Sequence, residues 1–463
     1  MIVQRTTERL KAFAGNSRKG IADVLVSLVP QASKSLLGFL SSILLARGLG
    51  PGGMGQYALV QSISDTVTSL ADPGVSQTAI RYASIAAARG DSEGQLAVIR
   101  WAFRLRLLAV LGMSAVLFFV IPSVAERLWH SGGLSPLMRI GLLGAVFLSL
   151  GSVPVIYFQS LKRFGMNAVI LTGQGVISFG GVAVLALLGL LTVERVVVVM
   201  VAAAGLAALL ACVLIPRRAM TAGRSPAGEH FSLRSVWRVP RSAPASSGGL
   251  EDAGPEEFAF YLLLSTVIVM ITVRLDLWLM GVYLEPSQIG LYNIASRTAL
   301  PLMFLLTALS TALWPRASAV ATVLEVQALL RKTLKVSVLV SVAGVAYAIV
   351  VPLLIPVLFG DVYAPSVLLA QIISLGYCIA IMANPMTMVG YSFGMARIYW
   401  VVNLLQMVIV LALLVLLLPR IGVLGAAMTF VANNLVGGLI NGYLVLRKSR
   451  TLVAAGGGKE GIP

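Results

Sequence analysis

The chain has 463 residues, of which 58% are hydrophobic and 11% charged, and its formal net charge is +17. Soluble domains carry roughly 45–50% apolar and about 25% charged residues, so these side chains cannot all be buried in one water-surrounded core. Composition therefore excludes an ordinary soluble domain. Continuous apolar runs such as 336–358 and 398–418 approach or exceed the roughly 20 residues a bilayer-crossing helix needs. They also exclude an outer-membrane barrel, whose strands alternate.

Apolar length predicts an all-α polytopic membrane protein of about twelve transmembrane helices. They are expected at 21–46, 55–80, 104–122, 137–160, 167–191 and 195–215, then at 257–282, 291–315, 336–358, 365–390, 398–418 and 422–446. The organisation expected is a basic segment 1–20, a first lobe 21–215, a connector 216–256, a second lobe 257–446 and a tail 447–463. The basic residues fall mostly on one side of this arrangement. Arg5, Arg9, Lys11, Arg18, Lys19, Arg81, Arg100, Arg104, Arg331, Lys332, Lys335, Arg447 and Lys448 share the side of the termini. Arg47, Arg127, Arg139, Arg195 and Arg420 are the exceptions. By the positive-inside rule both termini are cytoplasmic. The excess charge is thus an orientation signal and a contact for anionic membrane lipids, which displaces a nucleic-acid reading.

No cleavable signal peptide is expected, because the first apolar run is too long for one. Cys212 and Cys378 fall in different halves and carry no disulfide or metal spacing. His130 stands without a second histidine nearby and reads as an interfacial side chain. The connector holds Pro240, Pro244 and "ASSGG" (245–249), the composition of a flexible linker. Within it Phe231, Leu233, Val236, Trp237 and Val239 alternate with Arg234, Arg238 and Arg241. That pattern suits either a short amphipathic segment on the inner leaflet or plain linker.

"LGPGGMGQY" (49–57) and "LEPSQIGLY" (284–292) both read Leu-x-Pro-x-x-x-Gly-x-Tyr. Each falls between the first and second helices of its half, and Arg81 and Arg316 repeat at the same interval. Six helices per half make this a parallel repeat of two lobes, with a pseudo-twofold axis along the membrane normal. Pro51, Gly55, Pro286 and Gly290 are expected to shape tight outer turns, with Tyr57 and Tyr292 at the interface. Gly180–Gly181 and Gly437–Gly438 are expected to pack helices, within the chain or between copies.

Charges at bilayer depth are rare unless they face an interior or a cavity. Here they are Lys34, Asp65 and Asp72 in the first half and Arg274, Asp276 and Arg297 in the second. At 1.5 Å per residue, Lys34 and Asp65 both lie roughly 15–18 Å below the outer turn, a match that permits an ion pair. Asp276 and Arg297, each about 9 Å down, could pair likewise. These pairs would either lock their hairpins or line a cavity. Arg274 has no evident partner, since Asp276, two positions on, is on nearly the opposite helix face. It is therefore the first candidate for a cavity cation that holds a phosphate bidentately, the competing reading being an arginine that snorkels to the outer interface. Asp72 precedes Pro73 and Gly74, where the helix should bend, and either binds a cation or caps the break.

"ARGLGPGGMGQYALVQSISDTVTSLADPGVSQTAIRYAS" (46–84) resembles the N-terminal signature of Wzx-type oligosaccharide-lipid flippases. These are members of the multidrug/oligosaccharidyl-lipid/polysaccharide (MOP) exporter superfamily, which includes MATE transporters. "EPSQIGLYNIASR" (285–297), "PVLFGDVYAPS" (356–366) and "IGVLGAAMTF" (421–430) resemble its later phrases, so the likeness covers nearly the whole chain. Pro73 departs from the usual residue of its "DxG" step. The resemblance implies a MATE-like fold in a bacterial inner membrane. It implies a flippase, with no catalytic or metal site and no cofactor, that moves a polyprenyl-diphosphate-linked oligosaccharide outward for O-antigen or exopolysaccharide assembly. Arg274, Lys34 and Arg297 would then meet the diphosphate. The partners implied are the lipid-linked oligosaccharide, membrane lipids and a polysaccharide polymerase machinery.

The rival substrate class is that of a cation-coupled multidrug antiporter, with Asp65 or Asp72 exchanging protons or sodium. The basic balance of the intramembrane charges argues against cationic drugs. A lipid II flippase is nearer, although such proteins often have two further helices. The sequence leaves coupling to sodium, protons or membrane potential open. A membrane enzyme is disfavoured by the lack of a histidine cluster, metal-spaced carboxylates or a large polar loop.

Overall fold

The computed structural model describes residues 2–129, 132–161, 163–215, 255–318, 323–392 and 396–454. The connector 216–254, His130 and the last nine residues, 455–463, lie outside the described residues, so the readings made of them stay sequence readings. The helices are α1 (Ile2–Leu70), α2 (Val75–Ala88), α3 (Ser92–Ser123), α4 (Ser135–Ser160), α5 (Phe164–Leu187) and α6 (Val193–Val213). They continue as α7 (Pro255–Tyr283), α8 (Pro286–Thr298), α9 (Leu300–Ser318), α10 (Val323–Phe359), α11 (Ser366–Ser392), α12 (Ala396–Ile421) and α13 (Val423–Ala454). No strand occurs among the described residues. In hydrocarbon every backbone N–H and C=O must be satisfied within its own segment, and helices do that.

Ten of these helices are long and apolar enough to span a membrane, or eleven if α8 and α9 form one bent span. The count of twelve is recovered inside α1. Its apolar stretch Ala32–Leu70 has 39 residues, about 58 Å of helix against a hydrocarbon core near 30 Å. Gly50, at φ 66° and ψ 179°, breaks it into the two helices expected from the sequence.

Two expected helices are themselves interrupted. The one expected over 55–80 stops at Leu70, where the amides of Ala71 and Asp72 make the last bonds to Val67 and Ser69. Pro73 cannot continue the ladder, and Gly74, at φ 81°, starts α2. The helix expected over 291–315 bends by 45° between α8 and α9. Pro301 lacks the N–H that would carry the ladder through. Leu302 turns its amide to Ala299 (3.1 Å). The freed carbonyl of Thr298 accepts the Tyr347 hydroxyl at 2.6 Å.

The helices group into two compact units that do not follow the chain halves. The first is Met1–Leu44, Gly74–Phe118 and Arg139–Ala245; the second is Leu45–Pro73, Phe119–Met138 and Ser246–Pro463. In the first, Val75, Ala79 and Ala83 of α2 pack with Ile99 and Ala102 of α3 and with Val153 and Ile156 of α4. Glycines let α6 approach its neighbours: a Cβ on Gly144 would touch Val201, and one on Gly181 would meet Val199 at 2.5 Å. Pro122 cannot bond the Phe118 carbonyl, and Arg139 donates to it instead at 3.2 Å while lying over the Phe118 ring. This accounts for one of the arginines on the charge-poor side.

In the second unit Asn403 donates to Ser265 (2.6 Å), Asn384 to Ser310 (2.7 Å) and Asn441 to Thr387 (3.1 Å), joining α12 to α7, α11 to α9 and α13 to α11. Gly437 and Gly438 pack within the chain, on Gln406 and Ala383. A Cβ on Gly344 would meet Cys378 Sγ at 2.6 Å, so the thiol packs where the glycine leaves room. Arg47, a second arginine of the charge-poor side, donates to the carbonyls of Leu358 (2.9 Å) and Val357 (2.7 Å), capping the end of α10. The Tyr363 hydroxyl returns the contact by donating to Ala46 at 3.1 Å. The phrases "ARGLGP" and "PVLFGDVY" thus hold each other.

The repeated motif also turns out to be a contact. A Cβ on Gly55 would overlap the Pro286 carbonyl, and a Cβ on Gly290 would overlap the Pro51 carbonyl. That reciprocity, residue for residue, is what a twofold relation between two like surfaces produces. The expectation of tight turns at Gly55 and Gly290 is corrected here: both lie inside helices. The turn before the first copy belongs to Gly50, and Pro286 opens α8 at its first turn, where a missing N–H does no harm. Tyr57 and Tyr292, at 5% and 4% exposure, are buried rather than interfacial.

Candidate functional site

Below this contact the second unit encloses a cavity of about 420 Å³. Ala58, Gln61, Ser62 and Asp65 of α1 line it at i, i+3, i+4 and i+7, one face of a helix. Asn293, Ser296, Arg297 and Leu300 repeat that spacing on the α8–α9 side. Helix α7 contributes Thr272, Arg274 and Asp276, α11 contributes Tyr377, and α13 contributes Thr429 and Asn433. Hydroxyl and amide side chains stand among as many apolar ones, such as Val273, Ile373, Leu414 and Phe430, with two carboxylates and two guanidinium groups.

The charges are arranged unequally. Arg274 Nη1 lies 3.3 Å from Asp65 Oδ2, with the two side chains 24% and 33% exposed. The sequence reading left Arg274 without a partner and gave Asp65 to Lys34. Depth along a helix can be counted from sequence, but which helices adjoin cannot, and α7 lies beside α1 here. Lys34 belongs to the first unit, where its backbone lies against Gly175 of α5. Asp65 also accepts from Gln61 (2.9 Å), whose oxygen faces the Tyr57 hydroxyl at 3.4 Å.

The expected pair of Asp276 with Arg297 does not form. Asp276 accepts the Tyr292 hydroxyl at 2.9 Å and the Leu277 amide at 2.7 Å. Arg297 lies five residues beyond Tyr292, about 140° around the helix, so it points elsewhere. Its Nε donates to Asn293 Oδ1 at 2.8 Å. An amide oxygen orients a guanidinium without neutralising it, and no ion pair to Arg297 occurs among the described residues. A central charge facing lipid would cost about 2.5–3.5 kcal/mol, which the cavity avoids. Asp72 sits at the break between α1 and α2, away from the cavity wall.

Gln61 and Asn293 escaped the sequence reading, although each stands four residues before a charge already singled out. Tyr377, Thr429 and Asn433 come from helices without an intramembrane charge, so no signal marked them. No cluster of three metal-ligating side chains occurs among the described residues.

Two family models, each described as "Polysaccharide biosynthesis protein", match residues 21–239 and 256–368. No curated protein sequence matches the chain. Among solved structures, an inward-facing MATE transporter of the MOP superfamily aligns at TM-score 0.70 and 12% identity, over 92% of this chain and 99% of that one. The lipid II flippase MurJ, in an inward closed conformation, aligns at TM-score 0.70 and 13% identity, over 93% and 90%. A MOP superfamily transporter from Pyrococcus furiosus aligns at TM-score 0.60 and 12% identity, over 93% and 95%. These identities carry the fold alone.

Proposed function

We infer that this chain, which belongs to the Wzx-type polysaccharide biosynthesis family of the MOP exporter superfamily and is a multi-pass membrane transporter rather than an enzyme, flips a lipid-linked oligosaccharide. The substrate would be a polyprenyl-diphosphate oligosaccharide, moved from the cytoplasmic to the outer leaflet of a bacterial inner membrane for surface polysaccharide assembly. The observation that carries this reading is the cavity with two guanidinium groups, one of them facing no carboxylate, in a wall where hydroxyls and amides stand among apolar side chains. Arg297 offers an anion an unneutralised partner, and Arg274 can exchange Asp65 for a phosphate oxygen. Both can bind in a bidentate fork. Gln61, Asn293, Ser296, Thr429 and Asn433 supply the donors and acceptors that sugar hydroxyls require. The polyprenyl tail stays in the bilayer, which needs no protein contact to hold it.

Proteoliposomes test this. A fluorescent polyprenyl-diphosphate oligosaccharide should change leaflet when the protein is present, and a cationic dye should not. Movement of the dye alone, driven by a proton or sodium gradient, would assign the chain to the antiporter class and turn attention to Asp65 and Asp276.

A further inference from the structure

We propose that the two copies of Leu-x-Pro-x-x-x-Gly-x-Tyr form the outer gate of the transport path, a glycine-to-carbonyl seal that closes over the cavity and parts in every cycle. This rests on the flippase reading, because only outward release requires the seal to open.

Three observations converge on the seal. The charge bias of the sequence puts both copies on the outer side, the side on which the substrate must leave. The contact is backbone to backbone, Gly55 on the Pro286 carbonyl and Gly290 on the Pro51 carbonyl, with no room for a side chain between. It therefore excludes water and headgroup alike. Cα–H to carbonyl contacts are individually weak, so the glycine seam itself can part without stranding a strong hydrogen bond. The stronger bonds beside it, Arg47 to Val357 and Leu358 and Tyr363 to Ala46, do not cross the Gly55–Gly290 contact. The prolines keep each opening turn rigid, so the pieces move as bodies and meet again in register.

The same motif runs directly into the cavity. Two residues past each glycine stands a tyrosine. Tyr292 donates to Asp276 at 2.9 Å. Tyr57 reaches Asp65 through Gln61. Each half of the seal thus rides on a cavity carboxylate, and Asp65 in turn holds Arg274 of the opposite half of the chain. A diphosphate that takes Arg274 from Asp65 removes the ion pair that joins α1 to α7 beneath the seal, which leaves the glycine seam its weak contacts and the neighbouring Arg47 and Tyr363 bonds.

The test is a reversible cross-link across the seal. Cys212→Ser and Cys378→Ser give a background without thiols. Gly52→Cys and Gln288→Cys then flank the contact at positions with open space and exposure, respectively. Joining them with a cleavable bis-maleimide should stop translocation of the polyprenyl-diphosphate oligosaccharide, and cleavage should restore it. A control pair one turn apart on one helix, Gly52→Cys with Gln56→Cys, should cross-link without effect. Full transport with the seal cross-linked would show a static contact and overturn the gate. If the uncross-linked protein moves no lipid-linked sugar, the flippase reading fails instead, and the gate is read from thiol labelling of Ser296→Cys by an impermeant reagent on the outer side. Protection by the cross-link supports the gate under that condition, and unchanged labelling overturns it.

Discussion

The two copies of the repeated motif are alike where they touch and unlike where they lead. Pro51 with Gly55 and Pro286 with Gly290 make one reciprocal contact, so a change in either copy damages both. Beyond the glycines the copies diverge: Tyr292 bonds Asp276 directly, whereas Tyr57 acts through Gln61 on a carboxylate already engaged by an arginine. A backbone contact related by a twofold axis keeps its sequence in both halves. The cavity beneath is read by one asymmetric substrate and is free to differ between them.

The comparison breaks most sharply at the glycines. Gly55→Ala and Gly290→Ala should each lower thermal stability of the closed form by about 1–3 kcal/mol, the usual range for overpacking, and by similar amounts. Gly52→Ala, with no neighbour to meet, should leave melting and transport near wild type. Unequal losses at Gly55 and Gly290 would contradict the reciprocity. A second asymmetry lies between the arginines. Asp65→Asn should free Arg274 and tighten binding of a polyprenyl diphosphate measured by tryptophan quenching, whereas Asn293→Ala, which only unhooks an orienting amide, should weaken it slightly. The smallest effect separates the tyrosines. Tyr292→Phe should cost about 0.5–1.5 kcal/mol in thermal unfolding. Tyr57→Phe, losing a long 3.4 Å contact between neutral groups, should cost less.

The helices, the repeated motif and the four charges that line the cavity were legible because each is written along one segment, in apolar length, motif spacing or an isolated charge. The interruptions were half legible. Asp72-Pro73-Gly74 announced its break, but the carbonyl freed at the bend before Pro301 is satisfied by a hydroxyl that Tyr347 donates from another helix. Pairing was not legible at all. Arg274 and Asp65 stand in different halves of the sequence, and nothing local to either names the other. The motif glycines were recognised but given the wrong task, since glycine in a turn and glycine under a neighbouring carbonyl look the same in one dimension. Orphan amides such as Asn433 became visible only when the cavity gave them a surface.

The most direct measurement is translocation of a polyprenyl-diphosphate oligosaccharide and of its monophosphate counterpart, by wild type and by Arg274→Ala/Arg297→Ala, in proteoliposomes. Hydrogen bonds to a charged group contribute about 1.5–3 kcal/mol, so each guanidinium that grips the diphosphate should contribute roughly ten- to hundredfold. A cavity that reads the diphosphate through these arginines should favour it over the monophosphate in wild type, and the double variant, folded and monodisperse, should lose both the rate and the preference. A folded double variant that moves the diphosphate at the wild-type rate would contradict the assignment of this cavity.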